Sequence, residues 1–503
     1  MTTNEFPAGA GDWSSLIADL AADRAGELFP TSPAAVPDRE TAREFRLDGG
    51  ELQTIIDRLP ADFARTSVPA EASGAIPGHS SAGADPFQNG FRPLVAPLAA
   101  APGGWDAQAI HRDFPILSEK VDGKNLVWLD NGATTQKPRQ VIDRLVYFYE
   151  HENSNIHRSA HTLAARASDA FEKARGTVAG FIGAPSAENI VFVRGATEGV
   201  NLVASACRSR QKPGDEIIVS HLEQHANIVP WQLACQETGA VLKVIPVTDR
   251  GELRLDEYGR LLGPRTKMVA VAQVSNVLGA IVPVREIVQA AKRYGALTLI
   301  DGAQSAAHLP VNMAELDCDF FVFSGHKVYG PTGIGVLYGR REALEIMPPY
   351  QSGGNMIADV TFGRTLYQPP PARFEAGTAD IAGAVGLGAA LEYLSALGMA
   401  AVSLHEAELA AYAGEALRRV NGLRLVGEPP ERTGVFSFVI DGVADEAVSG
   451  RLRAAGVAVR VGHHCAQPIH RRFSLERSVR ASLGVYNTRE EIDFLVSLLR
   501  NLR

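Results

Sequence analysis

Seven short apolar segments between residues 189 and 339 constrain the fold more than any other feature of the sequence. Each has the length of a buried strand, and each is apolar along its whole length rather than at alternate positions. Strands of this kind are typical of a parallel sheet that is covered by helices on both faces. The segments are NIVFVRG, DEIIVSH, AVLKVIPV, KMVAVAQVS, ALTLIDGAQ, DFFVFSGHK and GIGVLYG. We therefore predict an α/β fold whose main sheet is mostly parallel.

The C-terminal part of the chain is organised differently. Two long helix-like stretches, GLGAALEYLSALG and SLHEAELAAYAGEALRRV, precede two strand-like stretches, VFSFVI and GVAVRVG. This pattern indicates a second, smaller α/β domain. We predict a large domain at 105–365, whose first segment packs on the small domain, and a small C-terminal domain at 366–503.

The first 104 residues form a third kind of region. They contain fourteen acidic residues, seven arginines and no lysine, and they are rich in proline, alanine, glycine and serine. Such a segment cannot bury enough apolar surface to offset its chain entropy. It is interrupted by three short apolar stretches: SSLIADLAADRAGELF, GELQTIIDRLPADFA and PFQNGFRPLVAPL. We predict that residues 1–104 are a mostly disordered extension that carries docking motifs on flexible spacers.

Charge and hydropathy exclude several classes of partner. The acidic extension holds most of the net charge of −8, so the rest of the chain lacks the basic face of a nucleic-acid-binding protein. No apolar run reaches the roughly 18 residues that suggest a membrane span. The N-terminal stretch MTTNEFPAGAGDW has neither the basic nor the apolar region of a secretory signal. We therefore expect a cytoplasmic protein that binds neither nucleic acid nor membrane.

The cysteines divide into two groups. Four cysteines in 503 residues do not form a disulfide framework, and none are in C-x-x-C spacing. Cys207, Cys235 and Cys318 lie in apolar or helix-like contexts, which favours small core side chains. Cys465 lies in the polar stretch VGHHCAQP and is a candidate nucleophile. The two histidines of that stretch have no further ligands at matching spacing, so we predict no metal site.

Polar side chains follow five of the predicted strands, at the points where these strands end. In an open parallel sheet, ligands bind at the carboxyl ends of the strands. Each of these residues alone is explained as a helix cap or a turn residue, but together they indicate a cofactor site. They are Thr197 and Glu198, Glu223 to His225, Asn276, Asp301 and Gln304, and Ser324 to Lys327.

Pyridoxal phosphate is the cofactor whose chemistry requires this set. A lysine must form a Schiff base with its aldehyde, a carboxylate must keep its ring nitrogen protonated, and N–H groups must bind its phosphate. Lys327 follows an apolar strand, where an unpaired cation is costly, although such a lysine can also extend into solvent. Asp301, if it is not simply a helix cap, suits the ring nitrogen. The stretch RGATEG opens a helix and offers N–H groups for the phosphate.

From about Phe114 to the C-terminus, the sequence resembles the fold-type I, class V aminotransferase-like enzymes. More narrowly, it resembles the SUF-type cysteine desulfurases, a group that includes selenocysteine lyases. The resemblance depends on many long stretches that occur in one order, which makes it highly specific. These are LDNGATTQKP, NIHRSAHTL, VFVRGATEGVNLVA, HANIVPWQ, VSNVLGA, DGAQSAAH, SGHKVYGPTGIGVLYG, RFEAGTADIAGAVGLGAALEYL, RVGHHCAQP and RASLGVYNT.

The resemblance implies which residues hold the cofactor. Lys327 binds its aldehyde and then moves protons, Asp301 pairs with its ring nitrogen, and Gln304 pairs with its phenolic oxygen. The residues implied for the phosphate are Thr197, Ser324 and His326.

The resemblance also implies a substrate site. Arg480 binds the substrate carboxylate by a bidentate contact rather than serving as a structural ion-pair residue. Arg460 and His157 lie nearby, and Asn276 lies near the substrate amine or the ring. Cys465 attacks the substrate sulfur and becomes a persulfide, which leaves alanine.

Two positions depart from the pattern of this family. The family usually reads EHHAN where this chain reads EQHAN, so Gln224 replaces the histidine that stacks on the ring. An amide can lie flat on the ring but cannot move protons, so either the activity is lowered or His225 compensates. The family's RGTTEG is RGATEG here, so Ala196 removes one hydroxyl near the phosphate.

The implied function is the conversion of L-cysteine to L-alanine, with the sulfur passed from Cys465 to an acceptor protein, as in iron–sulfur cluster assembly. The alternatives are a selenocysteine lyase, or a class V enzyme or binding module with reduced activity. Other class V reactions have no use for a thiol, which favours the desulfurase. The resemblance further implies a homodimer in which Thr378 comes from the neighbouring subunit. Long leaders such as residues 1–104 resemble those of desulfurases packaged in encapsulin shells, so we expect this region to direct the enzyme into such a shell.

Overall fold

The computed structural model describes residues 105–156 and 161–502. The predictions made for residues 1–104 and for His157 therefore lie outside the described residues. All of the described residues belong to one compact unit that runs from Ser80 to Arg503.

The described residues form helices and strands that we number separately in chain order. The helices are α1 Ala107–Arg112, α2 Arg139–His151, α3 Thr162–Phe181, α4 Ala196–Cys207, α5 Val229–Thr238, α6 Leu255–Leu261, α7 Val284–Lys292, α8 Met313–Leu316, α9 Arg341–Glu345, α10 Ile381–Leu397, α11 Met399–Arg418, α12 Asp445–Ala454, α13 Gln467–Arg472 and α14 Arg489–Arg500. The strands are β1 Lys120–Val121, β2 Lys124–Asn125, β3 Val127–Trp128, β4 Ile190–Val193, β5 Glu216–Ser220, β6 Val241–Ile245, β7 Thr266–Ala272, β8 Leu297–Asp301, β9 Phe320–Ser324, β10 Gly335–Gly339, β11 Ile357–Val360, β12 Thr365–Tyr367, β13 Leu423–Leu425, β14 Val435–Ile440, β15 Val457–Ala458, β16 Arg460–Gly462 and β17 Ser478–Ser482.

The main sheet has seven strands in the order β4-β10-β9-β8-β7-β5-β6, and each apolar segment supplies one of them. The pairs from β9 to β6 are all parallel, so the predicted mostly parallel sheet is confirmed. Strand β10 is antiparallel to both of its neighbours. It follows β9 after the turn at residues 325–334, which is too short for the crossover of about a dozen residues that a parallel connection needs.

Helices cover both faces of this sheet. Strand β4 illustrates the arrangement, because Ile190 and Phe192 lie in one hydrophobic cluster while Val191 and Val193 lie in the other. Helices α3, α7 and α10 contribute to the first cluster, and α4 and α5 contribute to the second. The strands are apolar throughout because neither face is left to solvent.

A smaller, antiparallel sheet has the order β13-β14-β17-β16 and packs against α11, α12 and α14. The predicted strand GVAVRVG is two strands, since β15 pairs in parallel with β3 while β16 pairs with β17. Leu129, which follows β3, is buried in the core of this smaller sheet. The first part of the described chain, around β3, thus packs on the C-terminal domain.

Helix α10 follows residue 366 but packs against α2 and α3 of the large sheet's core. We therefore propose that the division between the two domains falls after α10, later than the predicted boundary.

None of the helices in the described ranges is long and apolar enough by itself to cross a bilayer. Helices α10 and α11 have the required length and hydropathy only as a pair, and this pair is bent by 76°.

Candidate active site

Lys327 lies at the carboxyl edge of the main sheet. Strand β9 ends at Ser324 and continues into one turn of 3₁₀ helix, Gly325–Lys327. The carbonyl oxygen of His326 accepts hydrogen bonds from the Thr135 N–H at 2.9 Å and from the Thr134 hydroxyl at 3.0 Å. No hydrogen bond or ion pair within the described ranges engages Lys327 Nζ, and burial lowers the pKa of this amine to about 8. A fraction of Lys327 is thus a free, unprotonated amine near neutral pH.

Asp301 ends the neighbouring strand β8 and is almost fully buried. Its Oδ1 accepts a hydrogen bond from the Ala303 N–H at 2.9 Å, and its Oδ2 accepts one from Gln224 Nε2 at 2.8 Å. Two N–H donors on a buried carboxylate suit a group that must stay anionic. Gln224, which replaces the family's histidine, therefore contacts the predicted partner of the ring nitrogen.

The first turn of α4 lies beside the end of β9. The Ala196 N–H donates to Ser324 Oγ at 2.8 Å, and a side chain at Gly195 would come within 3.2 Å of the same oxygen. Thr197 is exposed in this turn, whose N–H groups lack intrahelical partners. Burial lowers the pKa of His326 to about 4, so its ring is neutral. The three predicted phosphate residues, Thr197, Ser324 and His326, and the neighbouring Ala196 therefore come from one edge of the sheet.

Arg480 enters the site from the smaller sheet and is 2% exposed. One terminal nitrogen donates to the Asn276 carbonyl oxygen at 3.0 Å, and the other pairs with Asp130 Oδ1 at 3.0 Å. Burial lowers the pKa of Arg480 and raises the pKa of Asp130, and the attraction between them opposes both shifts. A side chain at Gly132 would come within 3.1 Å of the guanidinium carbon, so glycine permits this approach. A buried cation with a single carboxylate partner suits a second anion such as a substrate carboxylate.

Asp130 was not among the predicted site residues. It lies two residues after the end of β3 in the stretch VWLDNGATTQ, whereas Asp301 is the last residue of β8. Asp130, like Asp301, is a polar residue at or just after the end of a strand. The sequence did not indicate it because β3 has only two residues and is too short to be recognised as an apolar segment. The carbonyl oxygen of Gly132, two residues after Asp130, accepts a hydrogen bond from Gln304 Nε2 at 2.7 Å. Gln304 therefore stabilises the loop that carries Asp130.

Cys465 lies in an exposed loop between β16 and α13. His464 and Cys465 have φ values of 50° and 57°, in the left-handed region that non-glycine residues seldom occupy outside functional sites. A Cys465 thiolate would raise the pKa of both Lys327 and Arg480, so the thiol is close to both cations. The loop thus exposes the thiol that the sequence predicts to be the nucleophile.

His225 holds this loop. Its N–H donates to the Cys465 carbonyl oxygen at 2.7 Å, and its ring Nε2 accepts from the Gln467 N–H at 3.2 Å. Burial and the nearby ring of His463 lower the pKa of His225. His225 therefore contacts the Cys465 loop through both its backbone and its ring, and its compensation for Gln224 stays a prediction.

Two other predicted residues, Arg460 and Thr378, make no side-chain hydrogen bond or ion pair with this cluster in the described part of the chain. Arg460 is exposed on β16, although its charge lowers the pKa of Lys327. Thr378 is exposed in the loop before α10 and makes no hydrogen bond with another predicted site residue in the described part of the chain. The role predicted for His157 remains a prediction because this residue is outside the described ranges.

Of the remaining cysteines, Cys207 and Cys318 are buried and Cys235 is half-buried. Burial raises the pKa of Cys207 and of Cys318 to about 12, and it also raises the pKa of Cys235. All three thiols are therefore poor nucleophiles near neutral pH. Across the two described ranges, no group of three or more His, Cys, Asp and Glu side chains is arranged to hold a metal ion.

These residues fit pyridoxal phosphate. Lys327 provides a free amine, Asp301 a buried carboxylate, and the first turn of α4 with Ser324 provides donors for a phosphate. Three buried polar atoms at the edge of the site, Asn276 Oδ1, His464 Nδ1 and Arg480 Nε, have no hydrogen-bond partner within the described ranges. Such atoms are expected where small polar molecules bind.

Comparison with known proteins agrees with this geometry. Residues 127–495 match the family model of class-V aminotransferases. A cysteine desulfurase of Dickeya dadantii is 50% identical over 78% of this chain and 96% of its own length. A cysteine desulfurase of Synechococcus elongatus is 58% identical over 82% of this chain but 66% of its own length, so this chain spans just under two thirds of that relative.

The solved structure of the Escherichia coli cysteine desulfurase CsdA superposes with a TM-score of 0.73 at 38% identity, covering 79% of this chain and 98% of the other. The fold is therefore that of fold-type I pyridoxal-phosphate enzymes, and pyridoxal 5′-phosphate is the cofactor of this family. The chain belongs to the class-V aminotransferase family and, within it, to the cysteine desulfurases.

Proposed function

We propose that this protein is a pyridoxal-phosphate-dependent enzyme that converts L-cysteine to L-alanine and holds the released sulfur as a persulfide on Cys465. One observation carries the proposal. The Cys465 thiol is exposed on a strained loop and lies close enough to Lys327 and Arg480 to influence the pKa of both. An exposed thiol whose negative charge would act on a buried amine and on a buried arginine supports sulfur transfer at this site.

The chain's own residues have separate roles in this reaction. The bound cofactor withdraws electrons from the substrate's α-carbon. Arg480 binds the carboxylate, and the Lys327 amine takes the α-proton and returns a proton as alanine forms. The Cys465 thiolate attacks the substrate sulfur: an S–S bond forms, the C–S bond breaks, and its electron pair stays on the β-carbon, which is protonated.

Cys465→Ala tests this assignment, with Cys235→Ala as the matched control. The first variant should bind cofactor and cysteine but release neither alanine nor sulfide when a reductant is present. The control should behave as the wild-type protein does. Unchanged sulfide release by Cys465→Ala would show that another group takes the sulfur. A parallel assay with L-selenocysteine shows whether the enzyme is instead a selenocysteine lyase.

The proposed homodimer is supported by the loop that carries Thr378. Glu375, three residues earlier, is bound by Arg175 at 2.7 Å and by the Phe192 N–H at 2.8 Å, which fixes the start of this loop to β4. The nearby hairpin of β11 and β12 exposes a set of apolar side chains that a second copy would cover: Val360, Phe362, Leu366 and Tyr367. We propose that Thr378 is presented to the active site of the partner subunit. Sedimentation of Phe362→Asp should show a shift toward monomer, with loss of cofactor if the partner completes the site.

The proposed packaging in an encapsulin shell concerns residues 1–104. Its support is the composition of this segment, in which apolar stretches are separated by stretches rich in proline, glycine and serine and the charge is strongly acidic. The matched family model covers residues 127–495, which leaves the segment outside the matched region. The test is to fuse residues 1–104 to a fluorescent protein, and separately to delete them, with a candidate shell protein co-expressed. A fusion that stays outside the shell, or an enzyme that enters without the segment, would contradict the proposal.

A further inference from the structure

Arg480 has one N–H group that neither the fold nor a substrate carboxylate accounts for. A guanidinium carries one N–H on Nε and two on each terminal nitrogen. The fold uses one terminal N–H for the Asn276 carbonyl and one for Asp130. A carboxylate bound end-on takes one remaining N–H from each terminal nitrogen. Nε–H is left over, and Arg480 Nε is indeed a buried donor with no partner within the described ranges.

The neighbouring His464 has a complementary unpaired atom. It is 4% exposed, its carbonyl oxygen accepts from Asn276 Nδ2 at 2.6 Å, and the charge of Arg480 adds to burial in lowering its pKa to about 2. The ring is therefore neutral and carries one proton. Its Nδ1 has no hydrogen-bond partner in the described part of the chain.

A chain of hydrogen bonds decides which ring nitrogen of His464 carries that proton. His470 Nδ1 lies 3.0 Å from the Ala466 carbonyl oxygen, which only accepts, so Nδ1 carries the proton of this ring. His470 Nε2, 3.0 Å from Ser478 Oγ, must then accept from the hydroxyl, because burial lowers the pKa of His470 and keeps the ring neutral. The hydroxyl proton of Ser478 is therefore already used. His464 Nε2 lies 3.1 Å from Ser478 Oγ, so it must donate its own proton to that oxygen. His464 Nδ1 is consequently a bare acceptor.

We propose that His464 is a positioning residue for Arg480, and that its Nδ1 lone pair, fixed by the chain through Ser478 and His470, is linked to the remaining Nε–H of Arg480 through an ordered water, since no direct hydrogen bond joins the two atoms. The third unpaired atom, Asn276 Oδ1, is also an acceptor. One ordered water, which donates two protons and accepts one, matches two acceptors and one donor and would join the three side chains. The guanidinium is thereby held with its two outer N–H groups free for the substrate carboxylate.

This inference rests on the proposed function in one respect, since it assigns Arg480 to the substrate carboxylate. It predicts an effect on carboxylate binding alone. Two other roles for His464 predict different results in the same experiment. If Nδ1 bound the substrate amine, ligands with and without a carboxylate would lose affinity equally, and if the ring only filled space, both substitutions of His464 would have the same effect.

The experiment compares two substitutions of His464, each of which places an amide group where one of the two ring nitrogens lies. The asparagine oxygen in His464→Asn approximates the Nδ1 acceptor, whereas the glutamine amide in His464→Gln approximates Nε2 and lacks that acceptor. The full-length, cofactor-loaded proteins are titrated with L-alanine and with ethylamine, which has no carboxylate, while cofactor absorbance is followed. His151→Gln, at an exposed histidine on α2, is the control.

We expect His464→Gln to weaken L-alanine binding about tenfold, the effect of one lost buried hydrogen bond, and to leave ethylamine binding unchanged. His464→Asn should bind L-alanine more tightly than His464→Gln does. Ser478→Ala, which keeps the ring but breaks the chain, should also weaken L-alanine binding selectively. Equal losses in both His464 variants, or equal losses for both ligands, would overturn the proposal. Failure of the wild-type protein to release sulfide from cysteine would refute the proposed function while leaving this binding pattern measurable.

Discussion

At the scale of single residues, the proposed active site contains a lysine, Lys327, whose pKa is lowered by burial. Lys327→Ala should abolish cofactor attachment and turnover and leave the fold intact, because no fold contact within the described ranges uses Nζ. Cofactor absorbance, alanine production and the unfolding midpoint measure these three properties. Lys212→Ala, at an exposed lysine, is the matched control and should resemble the wild-type protein. A coloured, active Lys327→Ala would refute the assignment.

The pKa of about 8 for Lys327 also predicts the pH dependence of cofactor attachment. The unprotonated amine is the form that reacts with the cofactor's aldehyde, and its fraction rises as the pH increases through this pKa. The rate at which cofactor-free enzyme takes up pyridoxal phosphate should therefore increase from pH 6.5 to pH 8.5 and then level off. A rate that kept rising to pH 10 would indicate a lysine with its ordinary pKa.

Gln224 is the second residue-scale feature. Its amide donates to Asp301 but carries no proton that can be transferred at neutral pH. Gln224→His should therefore raise kcat by up to about 100-fold, the lower end of what a general acid–base group contributes, and leave the KM for cysteine nearly unchanged. Gln224→Ala removes a donor from Asp301 and should weaken cofactor retention. A rate for Gln224→His that is unchanged or lower would contradict this role.

At the scale of elements, a buried ion pair joins α11 to the loop after β8. His308 Nδ1 lies 2.6 Å from Glu406 Oε2, and both side chains are almost fully buried. Burial lowers the pKa of His308, but the charge and hydrogen bond of Glu406 outweigh burial and raise this pKa above its usual value. The pair therefore links the helix that leads into the small domain with the strand that carries Asp301.

Glu406→Ala should reduce the free energy of unfolding by about 3–5 kcal/mol, because it leaves His308 buried without its partner. A raised pKa stabilises the fold fully below the unfolded value near 6.5, and this contribution is lost as the pH rises through the folded pKa. Urea unfolding of the wild-type protein should thus show a fall in stability above neutral pH that is smaller in Glu406→Gln. Parallel pH profiles for the two proteins would show that His308 is neutral throughout.

At the scale of the whole molecule, the site is assembled from both sheets. The main sheet supplies Asp301, Ser324 and Lys327, and the C-terminal segment supplies Cys465 and Arg480. These residues all lie within the described unit, and the described residues begin at 105. Deletion of residues 1–104 should therefore leave alanine production, cofactor content and the unfolding midpoint unchanged. A large loss of any of them would show that the segment is part of the catalytic body.

The sequence alone determined the main sheet and most of the residues at its carboxyl edge. Strands such as β8 and β9 are apolar on both faces because helices cover both faces, so the pattern is visible without coordinates. The polar residues that end them, Asp301 and Ser324, follow from the same rule. The antiparallel direction of β10 also follows from the short turn that precedes it, although the prediction did not draw that conclusion.

Only the tertiary structure decided how the separate parts of the chain meet. Arg480 and Asp130 are 350 residues apart, and their pairing depends on β17 lying beside the loop after β3. Likewise, the proton on His464 is fixed by Ser478 and His470, whose side chains converge only because β16 pairs with β17. Hydrophobic periodicity reports how each element is buried, but it carries no information about which buried side chains come within hydrogen-bond distance. The chemistry of the substrate site depends on those distances, so it required the folded molecule.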